Sequence, residues 1–164
     1  SPIMWKTGHS LIKAKMKETH AELAGEMSGH FFFAERWFGF DDGIYAAARL
    51  LEILAAAPEG IQAVFDELPK LFSTPELKIE LQEGEQHAFI EEFLSKATFD
   101  GARINTIDGL RADWPNGWGL VRASNTTPVL VLRFEAEDQK QLIDIQQQFK
   151  DQMLAVRDDL QFPF

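Results

Sequence analysis

The stretch PVLVLRFEA, residues 128–136, is dominated by apolar side chains and begins at a proline, which predicts a buried strand. Three shorter strand candidates precede it: ARINTI at 102–107, LRADW at 110–114 and GLVRA at 119–123. A helix is predicted from Asp138, because apolar side chains recur at helical spacing from Leu142 to Val156. Several short strands followed by an amphipathic helix indicate a sheet with a helix packed against it.

The same pattern extends upstream. Leu77, Ile79 and Leu81 alternate with polar residues, as in a strand with one exposed face. The segment GEQHAFIEEFLSKA at 84–97 has the spacing of an amphipathic helix. Residues 71–164 therefore predict a small α+β domain, an antiparallel sheet with two helices on one face.

Residues 1–70 predict an α/β fragment of a different kind. The expected elements are a helix at 10–20 capped by Ser10, strands within 21–27 and 31–37, a helix that begins after Asp41 and Asp42, and a short helix at 61–69. A turn signal, Ser-Thr-Pro, places a domain boundary near residues 70–74.

Two features of this fragment depend on parts outside it. The helix after Asp42 carries an apolar stripe that we expect to be buried, at Ile44, Ala47, Ala48, Leu51 and Leu54. The first four residues, Ser-Pro-Ile-Met, read as the end of a strand whose sheet lies upstream. We therefore expect the chain to be the C-terminal piece of a larger protein.

Charge, hydropathy and cysteine content argue against nucleic-acid binding, membrane insertion and thiol chemistry. The 26 acidic and 16 basic residues give a formal net charge of −10, which opposes the counterion release that drives nucleic-acid binding. No apolar run has the roughly 18 residues that span a bilayer, and no secretory signal pattern is present, so membrane partners are not expected. The absence of cysteine excludes disulfides and thiol chemistry and fits a reducing cytoplasm.

The segment GEMSGH, residues 25–30, carries three polar side chains at alternate positions. In an extended backbone Glu26, Ser28 and His30 share one face, where a carboxylate, a hydroxyl and an imidazole suit neighbouring sugar hydroxyls. The imidazole can also pass a proton. The alternative is an ordinary half-exposed strand that ends in a Gly-His turn.

The segment WKTGHS, residues 5–10, places Lys6 and His9 on a turn before a helix. A helix N-terminus offers unpaired N–H groups and partial positive charge, which favour an anionic ligand beside His9. The alternative is a polar turn in which Ser10 is a helix cap.

The segment VRASNTTP, residues 121–128, predicts a phosphate-binding loop. Arg122 is a forked cation suited to phosphate, and Ser124, Asn125 and Thr126, followed by Thr127, supply hydroxyl and amide donors. A turn of this composition also exposes backbone N–H groups that can surround an oxyanion. The alternative is a polar hairpin connection, since these residue types are common in turns.

The three loops, together with FGFDDGIYAAARLLEIL at 38–54, resemble the bacterial phosphomannomutase/phosphoglucomutase group of the α-D-phosphohexomutase superfamily. The resemblance covers essentially the whole chain in the same order. Such enzymes have four domains around one cleft. The resemblance implies that residues 1–70 are the second half of domain 3 and that residues 71–164 are domain 4, similar to a half of the TATA-binding protein.

The resemblance also implies roles for the site residues. Glu26 and Ser28 match the pair that binds the sugar 3- and 4-hydroxyls, and His9 and His30 match active-site histidines that are candidates for proton transfer. The loop that grips the non-transferred phosphate corresponds to Arg122, Ser124, Asn125 and Thr126.

The family reaction interconverts hexose 1-phosphates and 6-phosphates of mannose or glucose through a bisphosphorylated intermediate of the glucose 1,6-bisphosphate type. It uses a phosphoserine and Mg²⁺, and this chain has neither a TASH-like serine loop nor a DGDGDR-like aspartate loop. We therefore expect the isolated chain to be inactive, with a phosphosugar and the upstream domains of the same enzyme as its partners. A stand-alone binding module for phosphosugars or other anions and a protein-interaction domain remain alternatives.

Overall fold

A computed structural model describes residues 1–164. The chain forms two compact units, Ser1–Pro69 and Lys70–Phe164. The first unit contains three helices and a two-stranded antiparallel sheet. In chain order its elements are α1 (His9–Thr19), β1 (Leu23–Gly25), β2 (Phe31–Phe33), α2 (Gly43–Ala56) and α3 (Ile61–Asp66).

The core of the first unit is small. Its buried apolar side chains are Ile12, Met16 and Phe32, with α1 packed beside the β1–β2 hairpin. The α2 stripe has no cover within this unit: no α2 residue is buried, and Ile44 is 86% exposed. The helix itself forms where predicted because the Asp42 side chain accepts a hydrogen bond from the Tyr45 N–H and caps it.

The second unit is an antiparallel sheet covered by two helices. Its elements are β3 (Phe72–Ser73), β4 (Leu77–Glu80), α4 (Glu85–Lys96), β5 (Arg103–Asn105), β6 (Leu110–Trp114), β7 (Gly117–Ala123), β8 (Val129–Ala136) and α5 (Gln139–Leu154). The strand order is β3-β8-β7-β6-β5, and β4 also pairs with β8. The predicted fold class, an α/β fragment followed by a small α+β domain, is confirmed.

Most of the stretch 128–136 forms β8, an interior strand that pairs with β3 and β4 on one side and with β7 on the other. On β8, Leu130, Leu132, Phe134 and Ala136 are buried against both helices, so α4 and α5 share one face. Opposite them, Phe93 of α4 and Phe149 of α5 are completely buried. Residues 124–128 connect β7 to β8 and lie at the ends of these two strands.

None of the five helices combines the length and hydropathy needed to cross a bilayer.

Candidate functional site

The Gly-His turn begins α1. Helix α1 starts at His9, with Gly8 as its N-cap at φ 132°, a backbone region that glycine adopts without strain. The prediction that Ser10 caps this helix is wrong, because Ser10 lies within the first turn, where its Oγ is 3.5 Å from Nδ1 of the exposed His9. The helix N-terminus therefore has no capping side chain of its own.

Glu26 supplies the missing partner. Its Oε1 accepts a hydrogen bond from the Gly8 N–H at 2.6 Å, although the two residues are 18 positions apart. A carboxylate is favourable here because a helix N-terminus carries partial positive charge. The bond joins the WKTGHS and GEMSGH segments, which the sequence alone left separate.

The GEMSGH segment is a tight turn, so the prediction of an extended backbone is wrong. Strand β1 ends at Gly25, the Gly29 N–H donates to the Glu26 carbonyl at 3.0 Å, and the Glu26 N–H donates to the His30 carbonyl at 2.9 Å. Gly29 has φ 90°, which the turn requires and glycine tolerates. Ser28 lies within the turn and is exposed, so turn geometry, and not strand alternation, places it near Glu26.

His30 has a partner that sequence reasoning missed. Its Nδ1 lies 2.6 Å from Oδ2 of Asp41. The sequence offered one signal: two adjacent aspartates precede α2, and only one can occupy the N-cap. In the structure Asp42 is that cap, and Asp41 is bonded to the imidazole.

The loop between β7 and β8 is organised around Ser124. Its Oγ accepts hydrogen bonds from the N–H groups of Thr126 at 3.3 Å and Thr127 at 3.2 Å, and it lies 2.9 Å from Oγ1 of Thr127. Ser124 is buried, whereas Asn125 and Thr126 are exposed. The prediction that the turn exposes free backbone N–H groups is therefore wrong for Thr126 and Thr127.

Arg122 lies on β7 at the entry to this loop. Its neighbours Val121 and Ala123 point into the core or pack against it, so Arg122 lies on the sheet face opposite the helices. Its Nη1 donates to the Ala123 carbonyl at 3.2 Å, which holds the guanidinium beside the loop. The remaining guanidinium N–H groups suit an anion bound there.

A second cluster of charges in the first unit is internally paired. The Arg36 guanidinium binds both carboxylate oxygens of Glu52, at 2.9 and 2.8 Å, and thereby holds the pKa of Glu52 below its usual value of 4.5. Arg49 binds Glu35 at 2.8 Å. These charges pair with one another and connect the segment after β2 to helix α2.

No three His, Asp or Glu side chains gather in a group that could hold a metal ion. The side chains of this chain therefore do not form a Mg²⁺ site.

Two family models match the chain. The domain III model of phosphoglucomutase/phosphomannomutase, an alpha/beta/alpha domain, matches residues 1–72, and the model of the C-terminal domain matches residues 55–152. The chain belongs to the phosphoglucomutase/phosphomannomutase family.

Individual members of the phosphoglucomutase/phosphomannomutase family are similar along most of the chain. A phosphomannomutase/phosphoglucomutase of Pseudomonas aeruginosa is 58% identical over 163 residues, 99% of this chain and 35% of that protein. A phosphoglucomutase of Neisseria gonorrhoeae is 62% identical over 150 residues, 90% of this chain and 32% of that protein. The chain thus spans about a third of the length of these curated relatives.

A solved structure agrees with both. A phosphoglucomutase/phosphomannomutase family protein from Burkholderia thailandensis superposes with a TM-score of 0.90 at 52% identity, covering 100% of this chain and 34% of that protein's chain. The resemblance inferred from the three loops is confirmed.

Proposed function

We propose that this chain is part of a phosphohexomutase that reversibly interconverts hexose 1-phosphate and hexose 6-phosphate, of mannose or glucose, through a bisphosphorylated intermediate. Residues 1–70 are assigned to the second half of domain III and residues 71–164 to the C-terminal domain. The observation that carries the proposal is the bond from the Gly8 N–H to Glu26, because it joins two motifs of the family into one site.

The first unit recognises the sugar. One oxygen of Glu26 is used by Gly8, which leaves Oε2 to accept from a sugar hydroxyl, and the exposed Ser28 hydroxyl can donate or accept beside it. His9 of the WKTGHS segment and His30 of the GEMSGH segment are both exposed. We assign these two histidines to proton transfer.

The second unit binds the phosphate that is not transferred. Arg122 supplies charge, while the exposed Asn125 and Thr126 supply an amide and a hydroxyl donor. The Ser124 oxygen accepts from two of the loop's own N–H groups and also lies 2.9 Å from Oγ1 of Thr127, so this residue shapes the loop. Small donors around one cation can accept a phosphate at either end of the sugar.

Phosphoryl transfer itself needs groups from elsewhere in the enzyme. A phosphoserine would donate and receive the phosphoryl group, and Mg²⁺ would neutralise the charge that spreads over its oxygens. Both are assigned to upstream domains of the same enzyme, acting in the cytoplasm on a phosphosugar substrate. The isolated chain therefore recognises substrate without converting it.

A chimaera tests this function. In the Pseudomonas aeruginosa relative, the matched 35% of the protein is replaced by this chain, and mannose and glucose phosphates are assayed in both directions. We expect activity within about tenfold of the parent, whereas this 164-residue chain alone has none.

The variant Arg122→Ala of the chimaera tests the proposed phosphate-binding loop. It removes the cation of the phosphate loop and should raise KM for every phosphosugar, while Arg103→Ala, an exposed arginine on β5, should leave KM unchanged. A folded chimaera without activity would overturn the proposed function, as would turnover by the isolated chain.

A further inference from the structure

The backbone conformation brings His30 and Asp41 close together. His30 is tied to the turn through its carbonyl, which accepts from the Glu26 N–H at 2.9 Å, and it directly precedes β2. Asp41 forms an isolated antiparallel bridge with Phe32, a completely buried β2 residue. The backbones of His30 and Asp41 are therefore both held by the small sheet, which places the two side chains within reach of each other.

The Asp41 side chain does not cap helix α2. The cap of α2 is the next residue, Asp42, whose Oδ1 accepts from the Tyr45 N–H at 3.0 Å and whose Oδ2 lies 3.3 Å from the Trp37 ring nitrogen. Asp41 instead places Oδ2 at 2.6 Å from a ring nitrogen of His30. An ionised carboxylate can only accept, so the hydrogen in this bond belongs to Nδ1 of the imidazole.

We propose that Asp41 is a positioning residue for His30: it holds the neutral imidazole in the form protonated on Nδ1, so that Nε2 is the nitrogen offered to a sugar hydroxyl. The inference deepens the proposed function, on which the role of His30 in proton transfer rests. About half of the His30 side chain, 52%, is exposed.

The proton inventory follows from this geometry. When the attacking sugar hydroxyl loses its proton, Nε2 takes it, and the ring becomes a cation with a hydrogen on each nitrogen. The Asp41 carboxylate, 2.6 Å from Nδ1, stabilises that cation, as a carboxylate does for the histidine of a serine hydrolase. In the reverse direction Nε2 returns the same proton to the leaving oxygen.

Nitrogen NMR of this chain, with ¹⁵N-labelled histidine, tests the inference without any activity. In the neutral form of the ring we expect His30 to show a protonated Nδ1 and an unprotonated Nε2. Asp41→Asn should shift the population toward the form protonated on Nε2, and Asp42→Asn, the matched control next to it, should leave the His30 spectrum unchanged. A wild-type ring protonated on Nε2, or a spectrum that does not respond to Asp41→Asn, would overturn the proposal.

Kinetics of the chimaera test the consequence for turnover. Asp41→Asn should lower kcat about 10- to 100-fold, with KM within about twofold, because the sugar contacts of Glu26 and Ser28 are intact. Asp42→Asn should retain kcat, since asparagine is an equally good helix cap. In a His30→Asn background, Asp41→Asn should have no further effect; a full additional loss of kcat would contradict a role through His30. If the chimaera is inactive, the proposed function fails, and the NMR result still decides the position of the proton.

Discussion

The two units of the chain differ in how their site residues are supported. In Lys70–Phe164, seventeen buried apolar side chains form one core, and the loop that we propose to bind phosphate connects two interior strands, β7 and β8, of the sheet that belongs to it. In Ser1–Pro69 only Ile12, Met16 and Phe32 are buried together. The residues that we propose to face the sugar are instead held by polar contacts, from Glu26 to Gly8 and from His30 to Asp41.

The apolar pattern of the second unit is therefore matched by buried contacts within that unit, whereas much of the apolar pattern of the first unit is not. The apolar stripes of α4 and α5 are complementary to β8, so the pattern and the packing partner occur within the same 95 residues, 70–164. The stripe of α2 finds no cover within its own unit, where Leu51 is 65% exposed. We therefore expect core substitutions to have large effects in the second unit and polar substitutions to dominate in the first.

The largest expected effect comes from Phe149→Ala. This completely buried ring contacts Phe99 and Phe134, and its removal should lower the free energy of unfolding of the second unit by about 3–5 kcal/mol. Urea denaturation measures the change in the free energy of unfolding, and hydrogen exchange of the β7 and β8 amides assigns it to the second unit. Ile143→Ala, on the exposed side of the same helix, is the control; an equal loss there would contradict the assignment of the core.

A smaller effect is expected from Glu26→Ala in the first unit. The substitution leaves the part-buried Gly8 N–H without an acceptor and should destabilise the start of α1 by about 1 kcal/mol. Exchange rates of the α1 amides should rise, while those of β8 should not change. Glu26→Gln keeps an acceptor oxygen and should largely restore protection, so faster α1 exchange in both variants would count against the bond to Gly8.

Ion pairs should contribute still less, and their contribution depends on pH. Arg157 binds Asp159 and Glu85 and holds the pKa of each carboxylate below its usual value, 3.8 for Asp159 and 4.5 for Glu85. Carboxylates with a depressed folded-state pKa stabilise the protein above the unfolded-state value and lose that contribution as pH falls through the folded-state value. The stability difference between wild type and Arg157→Gln should therefore shrink from about pH 6 to about pH 3. A difference that stays constant or grows would contradict the pairing.

The smallest effect is expected from Leu51→Gln. Because this α2 side chain is exposed, the stability of the 164-residue chain should change by less than about 0.5 kcal/mol. Chemical denaturation of both chains measures the difference. A loss comparable to that of Phe149→Ala would show that the first unit has a core that the structure does not contain.

Sequence patterns predicted the second unit well because pattern and partner are both local to it. Strand β6 has the predicted bounds, Leu110–Trp114, and α5 begins after its cap Asp138, whose side chain accepts from the Gln141 N–H. The short strand β3 was missed, because Phe72 and Ser73 pair with β8 through backbone hydrogen bonds that their side chains do not encode.

The sequence indicated which residues form the candidate site, but it did not predict their backbone conformation or their hydrogen-bond partners. Alternation along 25–30 assumed an extended backbone, whereas the glycine at position 29 allows a turn that closes on Glu26. The partners of Glu26 and His30 are a backbone N–H and an aspartate 11 or more positions away, and no local pattern encodes such contacts. Ser124 was predicted as a phosphate donor, and its use of the loop N–H groups depends on the turn conformation.

The most direct test of phosphosugar recognition is an NMR titration of this chain with glucose 1-phosphate, with inorganic phosphate and glucose as matched partial ligands. We predict that phosphate and glucose 1-phosphate both shift the amides of residues 122–126, and that residues 26–30 respond to the sugar-bearing ligands only. We expect weak affinity, because the proposed function assigns part of the substrate contacts to other domains of the enzyme. No shift at either loop at millimolar glucose 1-phosphate would contradict the assignment of these loops to substrate recognition.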